Sequence, residues 1–161
     1  MRRWVVVLAG LLVVLHLTLR VGFGIGAAAP DLMLLALLIL SREVAIGTAA
    51  GVGLVLGLLE DALAVLSFGA NAITFALVAA IGAATRDLFL GDSPGFGFSF
   101  VFLGKLSRDI LHWIFVGPDL REPFVQTVIL EGGVAALYIA VVGGVLFAIT
   151  GIRWDAPGAR R

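Results

Sequence analysis

The chain has 161 residues, 61% of them hydrophobic and 14% charged, with eleven basic side chains balancing eleven acidic ones. Its mean hydropathy is +1.13. A soluble domain of this size has no use for so much apolar surface, whereas a polytopic membrane protein does, and zero net charge gives no electrostatic footprint for a nucleic acid.

The chain has no cysteine, which excludes disulfides and thiolate metal sites. With only two histidines as well, a metal site is not expected. No polar stretch is long enough to form a separate soluble domain, so residues 1–161 read as one membrane-embedded, all-α domain. Arg2 and Arg3, followed by an apolar run over 4–15 and by Ala27-Ala28-Ala29, imitate a secretory signal. The candidate cleavage site lies too far beyond the apolar run, so no cleavage is expected.

The apolar runs predict six transmembrane helices, over about 4–19, 30–40, 44–66, 70–85, 96–116 and 124–150. His16, Thr18 and Arg20 close the first, and Arg20 can reach the headgroups by snorkelling. The alternating glycines of residues 21–26 are a flexible connection, with no strand–helix unit around them to make a dinucleotide fingerprint. Pro30 and Asp31 open the second helix, since proline suits the first turn and a carboxylate complements the helix dipole. That helix is the shortest and must be tilted or partly shielded.

Ser41-Arg42-Glu43 is a tight connection into the third helix, and Ser67-Phe68-Gly69 turns the chain into the fourth. Arg86 and Asp87, the turn cluster Gly91-Asp-Ser-Pro-Gly95 and the polar loop 117–123 separate the remaining spans. Six spans place both termini on one side. If that side is cytoplasmic, it carries Arg2, Arg3, Arg42, Arg86, Arg153, Arg160 and Arg161, while the outside loops carry only Arg20 and Arg121. The positive-inside rule then puts both termini in the cytoplasm. No internal repeat points to an inverted-repeat transporter.

The third helix carries two stripes of small residues. Gly47 and Gly51 lead toward Asp61, and Gly53 and Gly57 lead toward Glu60, about 100° away. Small residues four apart let a second helix approach closely. The Gly47–Gly51 stripe is expected to pack internally because it continues to Asp61.

Adjacent carboxylates inside an apolar span need partners. Lys105, Arg108, Asp109 and His112 form one stripe of the fifth helix, at a depth matching Glu60 and Asp61. An internal salt-bridge cluster that fixes helix packing is the plainest reading, with Asp61 within reach of Arg108 or His112. A partner-binding role near the outer face, or a proton or substrate pathway, are the alternatives. Ser67, Ser93, Ser99 and Ser107 lie in no nucleophile motif, so no enzyme and no cofactor is expected.

Three segments together resemble the MreD family of bacterial rod shape-determining membrane proteins. They are Pro30-Asp31-Leu-Met-Leu-Leu, the glycine-rich run from Gly51 that ends Gly57-Leu-Leu-Glu60-Asp61, and Phe68-Gly69-Ala-Asn71-Ala. The matches cover about residues 30–80, and Glu60 stands where the family has an apolar residue, which leaves both carboxylates as candidates. The resemblance implies a non-enzymatic scaffold of the cell-elongation complex in the bacterial inner membrane, regulating peptidoglycan synthesis and cell shape. Its implied partner is MreC, a bitopic protein, with MreB filaments and the RodA–penicillin-binding-protein synthase indirectly involved.

Gly132, Gly133, Gly143 and Gly144 on the sixth helix are the expected contact for the partner's helix. The family is similar in outline to the six-helix substrate-binding subunits of energy-coupling-factor vitamin transporters, so a small-molecule-binding subunit is the alternative. That function requires a pocket of about 300 Å³ or more with convergent polar groups, and the outer loops are expected to be too short and polar-poor to make one.

Overall fold

A computed structural model describes residues 3–22, 30–63, 68–85 and 94–151, and among these every regular element is helical. The α-helices are α1 (Arg3–Leu17), α2 (Leu32–Ser41), α3 (Ile46–Leu63), α4 (Ala70–Ala84), α5 (Pro94–Phe115) and α6 (Gly132–Thr150). A π-helical turn, Thr18–Gly22, continues α1, and a longer π-helical stretch, Val125–Glu131, leads into α6. The turn at Ser67, Ala27-Ala28-Ala29, Arg86 and Asp87, residues 91–93 and the basic residues Arg2, Arg153, Arg160 and Arg161 lie outside the described residues. Three helical segments, Arg3–Arg20, Ile46–Leu63 and Val125–Thr150, are long and apolar enough to cross a membrane.

The short helix α2 is the hub. Leu32 through Ile39 are all at most 4% exposed, because α1, α3, α4, α5 and α6 each pack against α2. A helix that is apolar all round must be enclosed in this way. Asp31 starts it as N-cap, accepting the Leu34 N–H at 3.1 Å. Gly104 of α5 approaches it so closely that a Cβ there would stand 2.6 Å from Leu38 Cδ1. The expectation of a short, shielded second helix therefore describes the centre of the bundle.

The helices α3 and α4 form the tightest pair. A Cβ on Gly57 would lie 2.4 Å from the Asn71 carbonyl oxygen, and one on Gly53 would lie 2.4 Å from the Phe75 carbonyl oxygen. Only glycine permits backbones that close. Gly47 and Gly51 are exposed with nothing within 4 Å of a Cβ, so the expectation that they pack internally is overturned. Along α3 the buried residues Gly53, Gly57 and Asp61 repeat every four positions, and these face α4.

The C-terminal ends of α1, α3 and α5 meet the N-terminal ends of α2, α4 and α6 at one end of the bundle, the charged end. At the other end Arg42, 6% exposed, stacks 5.1 Å from the ring centroids of both Phe96 and Phe100. The outward faces of α1, α3 and α6 are strongly apolar: Val7, Val55, Val134 and Ile149 are each at least 65% exposed. An apolar exterior of this kind marks a surface made for lipid or for another helix.

Candidate functional site

The charged side chains at the charged end of the bundle form two separate networks. The first starts at Asp61, 1% exposed. Its Oδ2 accepts the backbone N–H groups of Gly69 and Ala72, both at 2.9 Å. Its Oδ1 accepts the Asn71 backbone N–H at 3.1 Å and the Asn71 side-chain amide at 3.0 Å. Asp61 thus caps the N-terminus of α4 from the preceding helix, satisfying donors that the first turn leaves unpaired and meeting the positive end of the dipole. Gly69 makes the turn possible with φ at +97°, a left-handed conformation suited to glycine.

The expected ion pair between Asp61 and a cation of α5 is replaced by a relay. Arg108 Nη2 donates to Asn71 Oδ1 at 2.9 Å, and Asn71 in turn donates to Asp61. Four N–H donors already occupy the carboxylate, and the neutral amide carries the link to α5. Arg108 also donates to Asp109 at 3.1 Å and sits 5.7 Å from the Phe75 ring. Lys105, 7% exposed, grips the same Asp109 carboxylate at 2.5 and 2.6 Å. So Lys105, Arg108 and Asp109 do form the predicted stripe, with two cations sharing one carboxylate.

Glu60, 4% exposed, faces away from α5, contrary to the expected pairing with Lys105, Arg108 or His112. It forms an ion pair with Arg20, and His16 Nε2 lies 3.6 Å from its Oε2. The physical reason is helical geometry. Adjacent residues on a helix point about 100° apart, so Asp61 aimed at α4 turns Glu60 toward the end of α1. The signal was available in His16 and Arg20, four residues apart on one face of the first helix, close in depth to Glu60.

His112, placed on the same stripe as Lys105, lines an open cavity of about 470 Å³ between α5, the loop 117–123 and the start of α6. Trp113, Arg121, Glu122, Thr127 and Glu131, which the sequence did not single out as a group, also line it. Arg121 closes the end of α5 by donating to the carbonyls of Val116 at 3.0 Å and Ile114 at 2.6 Å, while stacking 4.9 Å from the Trp113 ring. Trp113 Nε1 donates to the Glu122 carbonyl at 2.9 Å and Phe124 meets its ring edge-on at 5.1 Å. The wide π-helical turns before α6 bring Thr127 and Glu131 onto this wall; such segments recur at functional sites. The short outer loop 117–123 contributes Leu120, Arg121 and Glu122 to this lining, and the rest comes from helix ends, which a reading of the loops alone does not count.

The four glycines expected to meet a partner divide into two pairs. Gly132 and Gly143 are buried. A Cβ on Gly132 would stand 3.0 Å from Asp109 Oδ2, and one on Gly143 would stand 3.2 Å from both Leu35 and Val101. Gly133 and Gly144 have open space where a Cβ would go, as do Gly47 and Gly51 on α3. The neighbouring helices α2 and α5 take the first pair, which sequence spacing alone could not assign.

Of the motif residues, Pro30 and Asp31 start the central helix, while Gly57, Asp61, Gly69 and Asn71 form one interlocked hairpin between α3 and α4. Comparisons with protein-family models, with curated proteins and with solved structures found no match.

Proposed function

We propose that the chain is a non-enzymatic scaffold of the MreD type, a multi-pass subunit of the cell-elongation complex in the bacterial inner membrane. Six spans with both termini cytoplasmic fit the arginine asymmetry, with α2 short and enclosed by its neighbours. The observation that carries the reading is the hairpin lock. Four motif residues, Gly57, Asp61, Gly69 and Asn71, act together to fix α4 against α3 through a glycine contact and a capped helix start. Carboxylates committed to helix ends and to cations suit a rigid frame. A scaffold also needs an outward seam for the single helix of MreC, and close approach is best where small residues lie four apart. Gly47 and Gly51, exposed on α3, offer that spacing; Gly133 and Gly144 on α6 are the second open pair. MreB filaments and the RodA–penicillin-binding-protein synthase are reached through MreC.

The cavity of about 470 Å³ with its convergent polar side chains favours a second reading. A small-molecule-binding subunit of an energy-coupling-factor transporter would use such a cavity for a vitamin-type ligand. Depletion of the chain in its host separates the two readings. A scaffold of elongation predicts that rods become spheres; rods that keep their shape and lose uptake of a vitamin point to the transporter subunit.

A further inference from the structure

The cavity beside α5 has a floor and a mouth of opposite character. On the floor, Lys105 and Arg108 share the single carboxylate of Asp109. The other contact of Arg108 is the neutral Asn71 amide, and Asp61 is taken up by N–H donors. Asp31 acts on both cations without contacting either, its oxygen accepting the Leu34 N–H. By direct contact, two cations therefore meet one carboxylate at the floor. Arg108 Nε and His112 Nδ1 are buried out of reach of the open cavity, with no hydrogen-bond partner among the described residues.

The mouth carries two carboxylates beside Arg121, whose guanidinium is taken up by the Val116 and Ile114 carbonyls. Glu122 and Glu131 are exposed, and each accepts from a neutral group, Thr127 Oγ1 at 3.2 Å and Gln126 Nε2 at 2.9 Å. Neither makes an ion pair among the described residues.

We infer that this cavity binds a zwitterionic group, with its phosphate on the Lys105–Arg108 floor and its primary ammonium against Glu122 and Glu131 at the mouth. A guanidinium beside an ammonium suits a phosphate by charge-assisted hydrogen bonds, and two carboxylates without cations suit an ammonium. The same chemistry can arrive as a phosphatidylethanolamine headgroup or as a free phosphoethanolamine-type molecule. The exposed apolar residues Val125 and Ile129 of the π-helical stretch and Val134 of α6 offer acyl chains a surface next to Thr127 and Glu131. The inference holds whether the chain is a scaffold or a transporter subunit, because it depends on the cavity alone.

The test is thermal unfolding of the purified full chain in detergent with added phosphatidylethanolamine, phosphatidylglycerol, phosphatidylcholine, soluble phosphoethanolamine or inorganic phosphate. A ligand well above its Kd raises Tm by mass action. Phosphatidylethanolamine is expected to raise Tm by roughly 4 °C or more, with phosphatidylglycerol, phosphatidylcholine and inorganic phosphate far behind. An equal effect of soluble phosphoethanolamine identifies a free zwitterion as the ligand; an effect of the lipid alone identifies the headgroup.

The double variant Glu122→Gln, Glu131→Gln changes two exposed side chains and is expected to keep its ligand-free Tm while losing the preference for phosphatidylethanolamine over phosphatidylglycerol. Equal stabilisation by all three lipids, stabilisation by none, stabilisation by inorganic phosphate equal to that by phosphatidylethanolamine, or a preference that survives the double substitution would each overturn the inference.

Discussion

Asp61 holds Asn71 twice, through the backbone N–H at 3.1 Å and the side-chain amide at 3.0 Å, and so ties the last turn of α3 to the first turn of α4. The other face of the Asn71 amide accepts from Arg108 at 2.9 Å, which brings α5 into the same knot. Three helices are thereby fixed by one buried carboxylate and one neutral side chain.

Removing the carboxylate strands the donors of Gly69, Asn71 and Ala72. Asp61→Ala is expected to lower unfolding stability by roughly 2–4 kcal/mol, combining a lost cap of about 0.5–2 with at least one unsatisfied buried donor of about 1–3. Asp61→Asn keeps a capping oxygen and should lose less, about 1 kcal/mol. Equilibrium unfolding in detergent reads both. A loss from Asp61→Ala of only a few tenths of a kcal/mol would show that the cap is not what holds the hairpin.

The two glycine stripes of α3 make opposite predictions. Gly57→Ala places a methyl 2.4 Å from the Asn71 carbonyl oxygen and is expected to destabilise by about 1–3 kcal/mol or more through overpacking. Gly51→Leu points into open space and should leave Tm nearly unchanged while weakening the association with the partner helix that the proposed scaffold function requires. Gly143→Leu, on α6, should destabilise, since Leu35 and Val101 already crowd it, whereas Gly144→Leu should not. Melting curves of the four variants check this. Equal Tm values across them would contradict the assignment of inner and outer faces.

Glu60 and Arg20 tie the end of α1 to α3. Arg20→Gln leaves a carboxylate 4% exposed with only His16 nearby. It should cost on the order of 1–3 kcal/mol, less than for a fully buried pair because the Arg20 side chain is 37% exposed. Adding Glu60→Gln to Arg20→Gln should restore part of that loss, since a neutral pair carries no buried charge. A double variant less stable than Arg20→Gln alone would show that Glu60 has a further essential partner.

Much of the bundle was legible because the physics is local. Apolar runs mark the helices, and Asp31 behind Pro30 marks the start of α2. The stripe Lys105, Arg108, Asp109 and His112 follows from spacings of three and four. What sequence could not assign was which neighbour each face meets.

Around the α3 axis Gly57 and Gly53 point about 40° and 80° to one side of Asp61, and Gly47 and Gly51 about 40° and 80° to the other. That arithmetic does not separate the two stripes; the position of α4 does. The Asp61 cap was missed because an intramembrane carboxylate invites a cation. Here a six-residue connection between Leu63 and Ala70 delivers a helix N-terminus instead. The cavity was missed because its lining comes from α5, a 3-10 turn and a π-helical stretch that no periodicity announces.

The central claim is that this chain frames a complex by holding a partner's single helix within the membrane. Mild solubilisation of host membranes, affinity capture of the full chain and mass-spectrometric identification of what accompanies it test that claim most directly. The expected result is one dominant companion, a bitopic MreC-type protein with one membrane helix and a large periplasmic domain. Capture of this companion should be reduced by Gly51→Leu and retained by Gly51→Ala. Recovery of a transporter's ATP-hydrolysing module in its place would contradict the scaffold function.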